Sequence, residues 1–271
     1  MVDRVCRWMM KMIDAHNHLQ DARLGPWREE LLRELPELVE CAVVNGTREE
    51  DWGAVAELAA KVPWVAPSFG LHPWYVKGRS GEWREKLVAQ LDAHPRAGIG
   101  EIGLDCWMEG YDLAAQTECF LVQLALGAEW DLPVTIHCVQ AWGPLFEALA
   151  GAKRPKRGFL LHAYGGSSEM AARLVELGAY FSFSTYFLHE RKGRQREVFA
   201  GLPVERLLVE TDAPDMAPPP GHREFPGEPR VNHPGNIVAA YAELARVRGM
   251  RVEELGEVVR GNFKRWWRGD E

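Results

Sequence analysis

Residues 97–137 read AGIGEIGLDCWMEGYDLAAQTECFLVQLALGAEWDLPVTIH. A short apolar run, Ala97–Leu104, gives way to a helix-like stretch, Leu113–Trp130, and then to a second apolar run, Leu132–His137. Strand-length runs separated by helical stretches read as parallel strands joined by crossover helices. The alternation continues in both directions. Further strand-like runs are Met12–Leu19, Cys41–Gly46, Trp64–Leu71, Phe159–His162, Ala179–Ser184 and Leu207–Thr211, which makes eight in all. Between them lie helix-like segments at Glu49–Lys61, Glu82–His94, Trp142–Ala150, Glu169–Leu177 and Gln195–Ala200, and two more, Asn236–Arg248 and Val252–Trp267, close the chain. Eight such units in this length close naturally into an α/β (β/α)8 TIM barrel. An open doubly wound sheet is the alternative that alternation alone does not exclude.

The chain has 271 residues, 46% of them hydrophobic and 26% charged, which suits one sizeable core and excludes disordered or collagen-like sequence. We therefore expect one domain over 1–271, with the barrel at about 12–212, a loop at 213–235 and closing helices at 236–267. No apolar run approaches the ~18 residues of a membrane span, and Met1–Lys11 carries no uninterrupted apolar stretch of a secretory signal. The five cysteines (Cys6, Cys41, Cys106, Cys119 and Cys138) are scattered and never form CxxC, which argues against a disulfide framework or a zinc knuckle. A cytoplasmic monomer or small homo-oligomer is the expectation. A net charge of −7 argues against a broad basic face coating long nucleic acid. Residues 213–235 hold seven prolines and follow the eighth strand, so in a barrel they would overhang its mouth as a lid or wall.

The chemistry lies in the strand ends. His16 and His18 form an HxH on the first strand, where residues two apart share a side at roughly 6–7 Å. Glu101 lies near the end of the fourth, His137 ends the fifth, His162 the sixth, and Asp212 follows the eighth. All six fall at the carboxyl ends of strands, the face on which barrel active sites are built. Four imidazoles and two carboxylates are a donor set that Zn²⁺, Mn²⁺ or Fe²⁺ accepts. Six ligands exceed the needs of one tetrahedral ion with an open position, whereas two divalent ions sharing a carboxylate fit. Glu101 is the obvious bridge, because no lysine occurs around the fourth strand. The candidates are Zn²⁺, Mn²⁺ and Mg²⁺.

Other motifs are weaker. Gly98–Gly103 satisfies GxGxxG but lies within a strand, out of context for a dinucleotide. Asn45-Gly46-Thr47 is a glycosylation sequon without other signs of secretion. Ser167 and Ser168 look like a helix cap.

In order, the motifs are Ile13-Asp14-Ala15-His16-Asn17-His18-Leu19, Gly70-Leu71-His72-Pro73-Trp74, Gly100-Glu101-Ile102-Gly103-Leu104-Asp105, Pro133-Val134-Thr135-Ile136-His137, Glu210-Thr211-Asp212-Ala213-Pro214 and Asn262-Phe263. With them the chain resembles, over about Met12–Phe263, the TatD-like metal-dependent hydrolases, amidohydrolase-type barrels described as deoxyribonucleases. The resemblance implies one metal on His16, His18, Glu101 and Asp212, a second on Glu101, His137 and His162, and His72 nearby as a substrate contact or a residue behind the ligands. At three places the chain departs from the family. Val139 stands where an arginine is common, Ala163-Tyr164 replaces Cys-Phe after His162, and Asp215 replaces an aromatic residue after Pro214.

The expected mechanism is hydrolysis by a metal-activated water, with Asp212 taking its proton and Glu101 joining the ions. Glu210 shares a face with Asp212 and reads either as an orienting carboxylate or as an interior polar residue. Trp74, Trp107 and Trp142, with Tyr186 and Phe187, form either an aromatic rim for bases or barrel packing. The run Arg191–Arg196 reads either as a phosphate grip or as a solvated helix start. Three functions stay open: a 3′-exonuclease on single-stranded DNA ends, a hydrolase of a small ester, lactone or amide, and a non-catalytic metal-binding barrel.

Overall fold

The computed structural model describes residues 10–225 and 231–269. Eight parallel strands lie in sequence order: β1 (Met12–Asn17), β2 (Val39–Asn45), β3 (Val65–Phe69), β4 (Gly98–Asp105), β5 (Val134–Val139), β6 (Phe159–Leu161), β7 (Ala179–Ser184) and β8 (Leu207–Glu210). Each pairs with the next in parallel register, as in Phe181 with Leu207 through Ser184 with Glu210. The intervening helices are α1 (Arg28–Glu34), α2 (Glu49–Lys61), α3 (Trp83–Ala93), α4 (Leu113–Trp130), α5 (Trp142–Gly151), α6 (Ser168–Glu176) and α7 (Gly193–Gly201). The strands are almost wholly buried, as a sheet covered by helices on one face and filled on the other requires.

Local sequence explains the helix ends. Asp112 caps α4 by accepting from Ala115 N at 3.0 Å, and Asp131 ends it in the left-handed conformation. Ser167 caps α6 by accepting from Met170 N.

The barrel closes between β1 and β8. Asp212 N donates to His16 O at 3.0 Å and His18 N to Ala213 O at 2.7 Å. Beneath them, the buried Asp14 carboxylate accepts from Thr211 N at 3.0 Å and Thr211 Oγ1 at 2.6 Å. The last helices, α8 (Ile237–Arg248) and α9 (Val252–Phe263), cover this seam from outside. Tyr241 Oη on α8 bonds Ile13 N and O, and the buried Asn262 Nδ2 on α9 donates to Val204 O and Leu207 O at 2.8 Å. The Asn262-Phe263 motif therefore serves closure.

The alternation gave no sign of α1. Cys6, Pro226 and Pro229 lie outside the described residues. The four described cysteines are free. Among the described residues no helix is long and apolar enough to cross a membrane. The sequon is closed to glycosylation because Asn45 is fully buried.

Candidate metal centre

The six predicted ligands meet at the carboxyl end of the barrel. β1 ends at Asn17, one residue before His18; β6 ends one before His162, and β8 two before Asp212, so these three side chains sit on the turns that leave the strands. Asp212 holds a left-handed backbone (φ 54°). Close approach of strands needs glycine at two places. A Cβ on Gly103 (φ 148°) would lie 2.0 Å from His137 O, and one on Gly70 would lie 2.7 Å from the Gly100 carbonyl carbon.

Two clusters share one carboxylate. In the first, His16 Nε2 and His18 Nε2 are 3.2 Å apart. His16 Nε2 lies 3.5 Å from Glu101 Oε2 and 3.3 Å from Asp212 Oδ1, while His18 Nε2 lies 3.3 Å and 3.4 Å from the same two oxygens. These separations match the ligand edges of roughly 3.3–3.4 Å that a tetrahedral ion with bonds of about 2.0–2.1 Å would impose. In the second, Glu101 Oε1 lies 2.8 Å from His162 Nε2 and 3.0 Å from His137 Nδ1, and these two nitrogens are 3.1 Å apart. All of these residues are buried.

The outer nitrogens sort ligands from donors, because a neutral imidazole has one N–H and one lone pair. His18 Nδ1 donates to Asn45 O at 2.8 Å, which leaves the Nε2 lone pair facing the first cluster. His137 Nε2 donates to Asp105 Oδ2 at 2.8 Å, which leaves Nδ1 facing the second. His72 is opposite. Its Nδ1 accepts from Trp74 N at 3.1 Å, so Nε2 carries the proton and points to Glu101 Oε1 at 3.5 Å. Burial lowers His72 to about 4, so it is neutral at pH 7. His72 thus turns an N–H, and not a lone pair, toward the shared carboxylate.

Charge agrees with this arrangement. Burial alone would raise the Glu101 carboxyl, but the neighbouring imidazoles, His162 foremost, hold it well below the usual carboxylate range. Burial opposes protonation of His18 and His162, yet Asp212 and Glu101 raise the first and Glu101 and Glu210 the second. The carboxylates thus draw positive charge into a buried cluster, which cations at the same atoms would supply.

Asp105 was given no role from sequence. It is the last residue of β4 and four positions after Glu101, an even spacing that on a strand gives one face. Its Oδ2 also accepts from Trp74 Nε1 at 2.8 Å, and its Oδ1 from Trp107 N at 2.7 Å. Burial opposes ionisation, but the His137 contact and these donors lower Asp105 to about 2. Glu210 Oε1 lies 3.5 Å from His162 Nδ1 without a hydrogen bond between them, and its other oxygen accepts from Ser182 Oγ.

The rim divides. Trp142 packs against Tyr164 at 4.7 Å and Phe187 is buried against Phe183 and Phe199, so these two are packing residues. Within the basic run, Arg196 turns inward to Phe187 O, His189 O and Glu243, while Arg191 and Lys192 gather on the Tyr186 ring. Asp215 forms a two-pronged pair with Arg23, at 2.8 and 2.7 Å, across the barrel seam. The buried Asn232 ties the proline-rich excursion down, donating to Thr185 Oγ1 and Thr211 O.

The family model for TatD-related DNases matches residues 13–268. The chain belongs to the TatD-related DNase family. It is 30% identical over 261 residues to the uncharacterized metal-dependent hydrolase YjjV of Escherichia coli K12, covering 95% of this chain and 96% of that one. It is 27% identical over 257 residues to the 3′-5′ ssDNA/RNA exonuclease TatD of Citrobacter koseri, covering 93% and 97%. The crystal structure of the E. coli YjjV protein superposes with a TM-score of 0.86 at 28% identity, covering 96% of this chain and 97% of that one. As a TatD-family protein the chain is a metal-dependent hydrolase with an amidohydrolase-like barrel, and its buried His, Glu and Asp clusters suit metal ions.

Proposed function

We propose that this TatD-family hydrolase is a phosphodiesterase acting as a 3′–5′ exonuclease on single-stranded DNA ends. His16, His18, Glu101 and Asp212 would hold one divalent ion and Glu101, His137 and His162 the other. The observation that carries this reading is Glu101, each of whose oxygens faces a separate cluster of imidazoles. Held by these residues, two divalent ions would supply a water of lowered pKa and neutralisation of charge on a phosphoryl oxygen. Asp212 keeps Oδ1 in the first cluster, and among the described residues no hydrogen bond engages Oδ2. That oxygen would take the water's proton and return it to the leaving group. Ionisation of Asp212 is secured because His16 and His18 outweigh the effect of burial and hold it well below the usual range. Asp105 fixes the His137 tautomer, and His72 turns its Nε2–H toward Glu101.

A second reading, hydrolysis of a small ester, lactone or amide, is favoured by Val139. This half-buried apolar side chain ends β5 beside Asp105, at the position where the family resemblance implies an arginine within reach of a phosphate. Digestion of a 5′-labelled single-stranded oligonucleotide by metal-reconstituted protein separates the two. A ladder shrinking from the 3′ end and absent with Glu101→Ala supports the exonuclease. No cleavage with both sites filled rejects it in favour of the small substrate.

A further inference from the structure

Four large hydrophobic side chains are exposed among the described residues, and three of them, Trp74, Trp107 and Tyr111, lie on the loops that follow β3 and β4. Trp107 is 63% exposed and Trp74 43%. Their rings stand side by side, with centroids 6.5 Å apart and planes inclined by 32°. Scattered exposed aromatics need no explanation, but clustered indoles beside a buried polar site do.

The pair is held in place by the candidate site. Trp74 Nε1 and the Trp107 backbone N–H are anchored on the two oxygens of Asp105, the carboxylate that also holds His137. Trp74 stands edge-on to His72 at 5.2 Å, and its ring centroid is 6.5 Å from that of His137. An exposed side chain costs conformational freedom when it is fixed. Here the fixing group is shared with a proposed metal ligand, so the Trp74 indole and the Trp107 backbone have a set position relative to the candidate metal centre, and the Trp107 ring lies beside Trp74.

We propose that Trp107 and Trp74 form a stacking platform for a nucleobase of the single-stranded end, next to the phosphodiester being cut. The proposal rests on the exonuclease reading. A patch of two or three rings is far smaller than the ~1,000 Å² a protein partner needs. Stacking on indole accepts any base, because every base presents a π-face. The platform would thus give binding strength without sequence preference, and it would do so without a broad basic face.

The test uses metal-loaded wild-type protein, Trp107→Ala and Trp107→Phe. The probes are two short oligonucleotides with phosphorothioate linkages at the 3′ end to block cleavage. One ends in 2-aminopurine, whose fluorescence falls on stacking, and the other carries an abasic residue at that position. The ~1–3 kcal/mol of a stacked base corresponds to roughly 5- to 150-fold in affinity. Wild type should quench 2-aminopurine and prefer the base-bearing oligonucleotide by that factor. Trp107→Ala should lose both effects, with the two probes bound within about twofold, and Trp107→Phe should keep most of each. Equal quenching by Trp107→Ala and wild type overturns the platform. A wild type that cleaves unmodified DNA but binds both probes equally also overturns it, and leaves the exonuclease standing. A wild type that neither binds the probes nor cleaves unmodified DNA rejects both.

Discussion

Replacing Asp105 with asparagine tests whether the groups behind the ligands set the metal site. The wild-type carboxylate accepts from His137 Nε2 and Trp74 Nε1 on one oxygen and from the Trp107 and Met108 backbone N–H groups on the other. An amide cannot serve both sides. With its NH2 toward His137 and Trp74 it meets two donors, and when flipped it meets Trp107 N at 2.7 Å instead. The cheaper escape is for His137 to move its proton to Nδ1 and accept at Nε2. That tautomer turns an N–H toward Glu101 Oε1, 3.0 Å away, and removes a lone pair from the second cluster. Loss of such a carboxylate–histidine contact typically costs 10–100-fold in metal affinity, or about 1.4–2.7 kcal/mol. Titration with Zn²⁺ or Mn²⁺ against a competing chelator should therefore show one of two affinities weakened by that factor. The other, on His16, His18 and Asp212, should hold within about threefold. Both affinities within twofold of wild type would refute the tautomer argument.

Further outcomes follow from the same contacts. His72→Ala should keep both ions while lowering activity by about 10–100-fold, the scale for losing a group that orients a ligand; loss of an ion would instead make His72 a ligand. Asp14→Ala strands two donors of Thr211 at the seam, so urea unfolding should show a loss of about 1–3 kcal/mol for each donor. His233 Nδ1 accepts from Gly235 N at 2.9 Å, and burial lowers its pKa from 6.5 to about 4. Between those values the unfolded chain binds more protons than the folded one. Stability should accordingly be full above pH 6.5 and fall as the pH drops toward 4, by roughly 3 kcal/mol at the limit. In urea titrations from pH 7.5 to 4.5, His233→Asn should flatten that slope, and an unchanged slope would assign it to other groups.

The barrel was legible because strand and helix periods alternate cleanly. Ala179–Ser184, Glu49–Lys61 and Leu113–Trp130 fall where the sequence places them. Elsewhere the ends shift by a few residues, since side chains such as His162 and Asp212 belong to the turns that leave the strands. Helix α1 escaped notice because its seven residues, Arg28–Glu34, bury only Leu31 and so carry almost no periodic signal. The six-residue cluster was legible from its repeated position at strand ends. Asp105 was not, because a carboxylate at a strand end looks the same whether it faces solvent or an imidazole. The rim split for a similar reason. Trp74, Trp107 and Trp142 occupy equivalent places in sequence, and only packing separates Trp142, set against Tyr164, from the exposed pair.

The central claim is that one carboxylate joins two metal clusters. Metal content per chain after reconstitution and desalting, measured for wild type, His162→Ala and Glu101→Ala, tests it most directly. The account predicts two ions in wild type, one in His162→Ala, and a loss at both sites in Glu101→Ala. Two ions retained in Glu101→Ala, or a single ion in wild type at saturation, would contradict it.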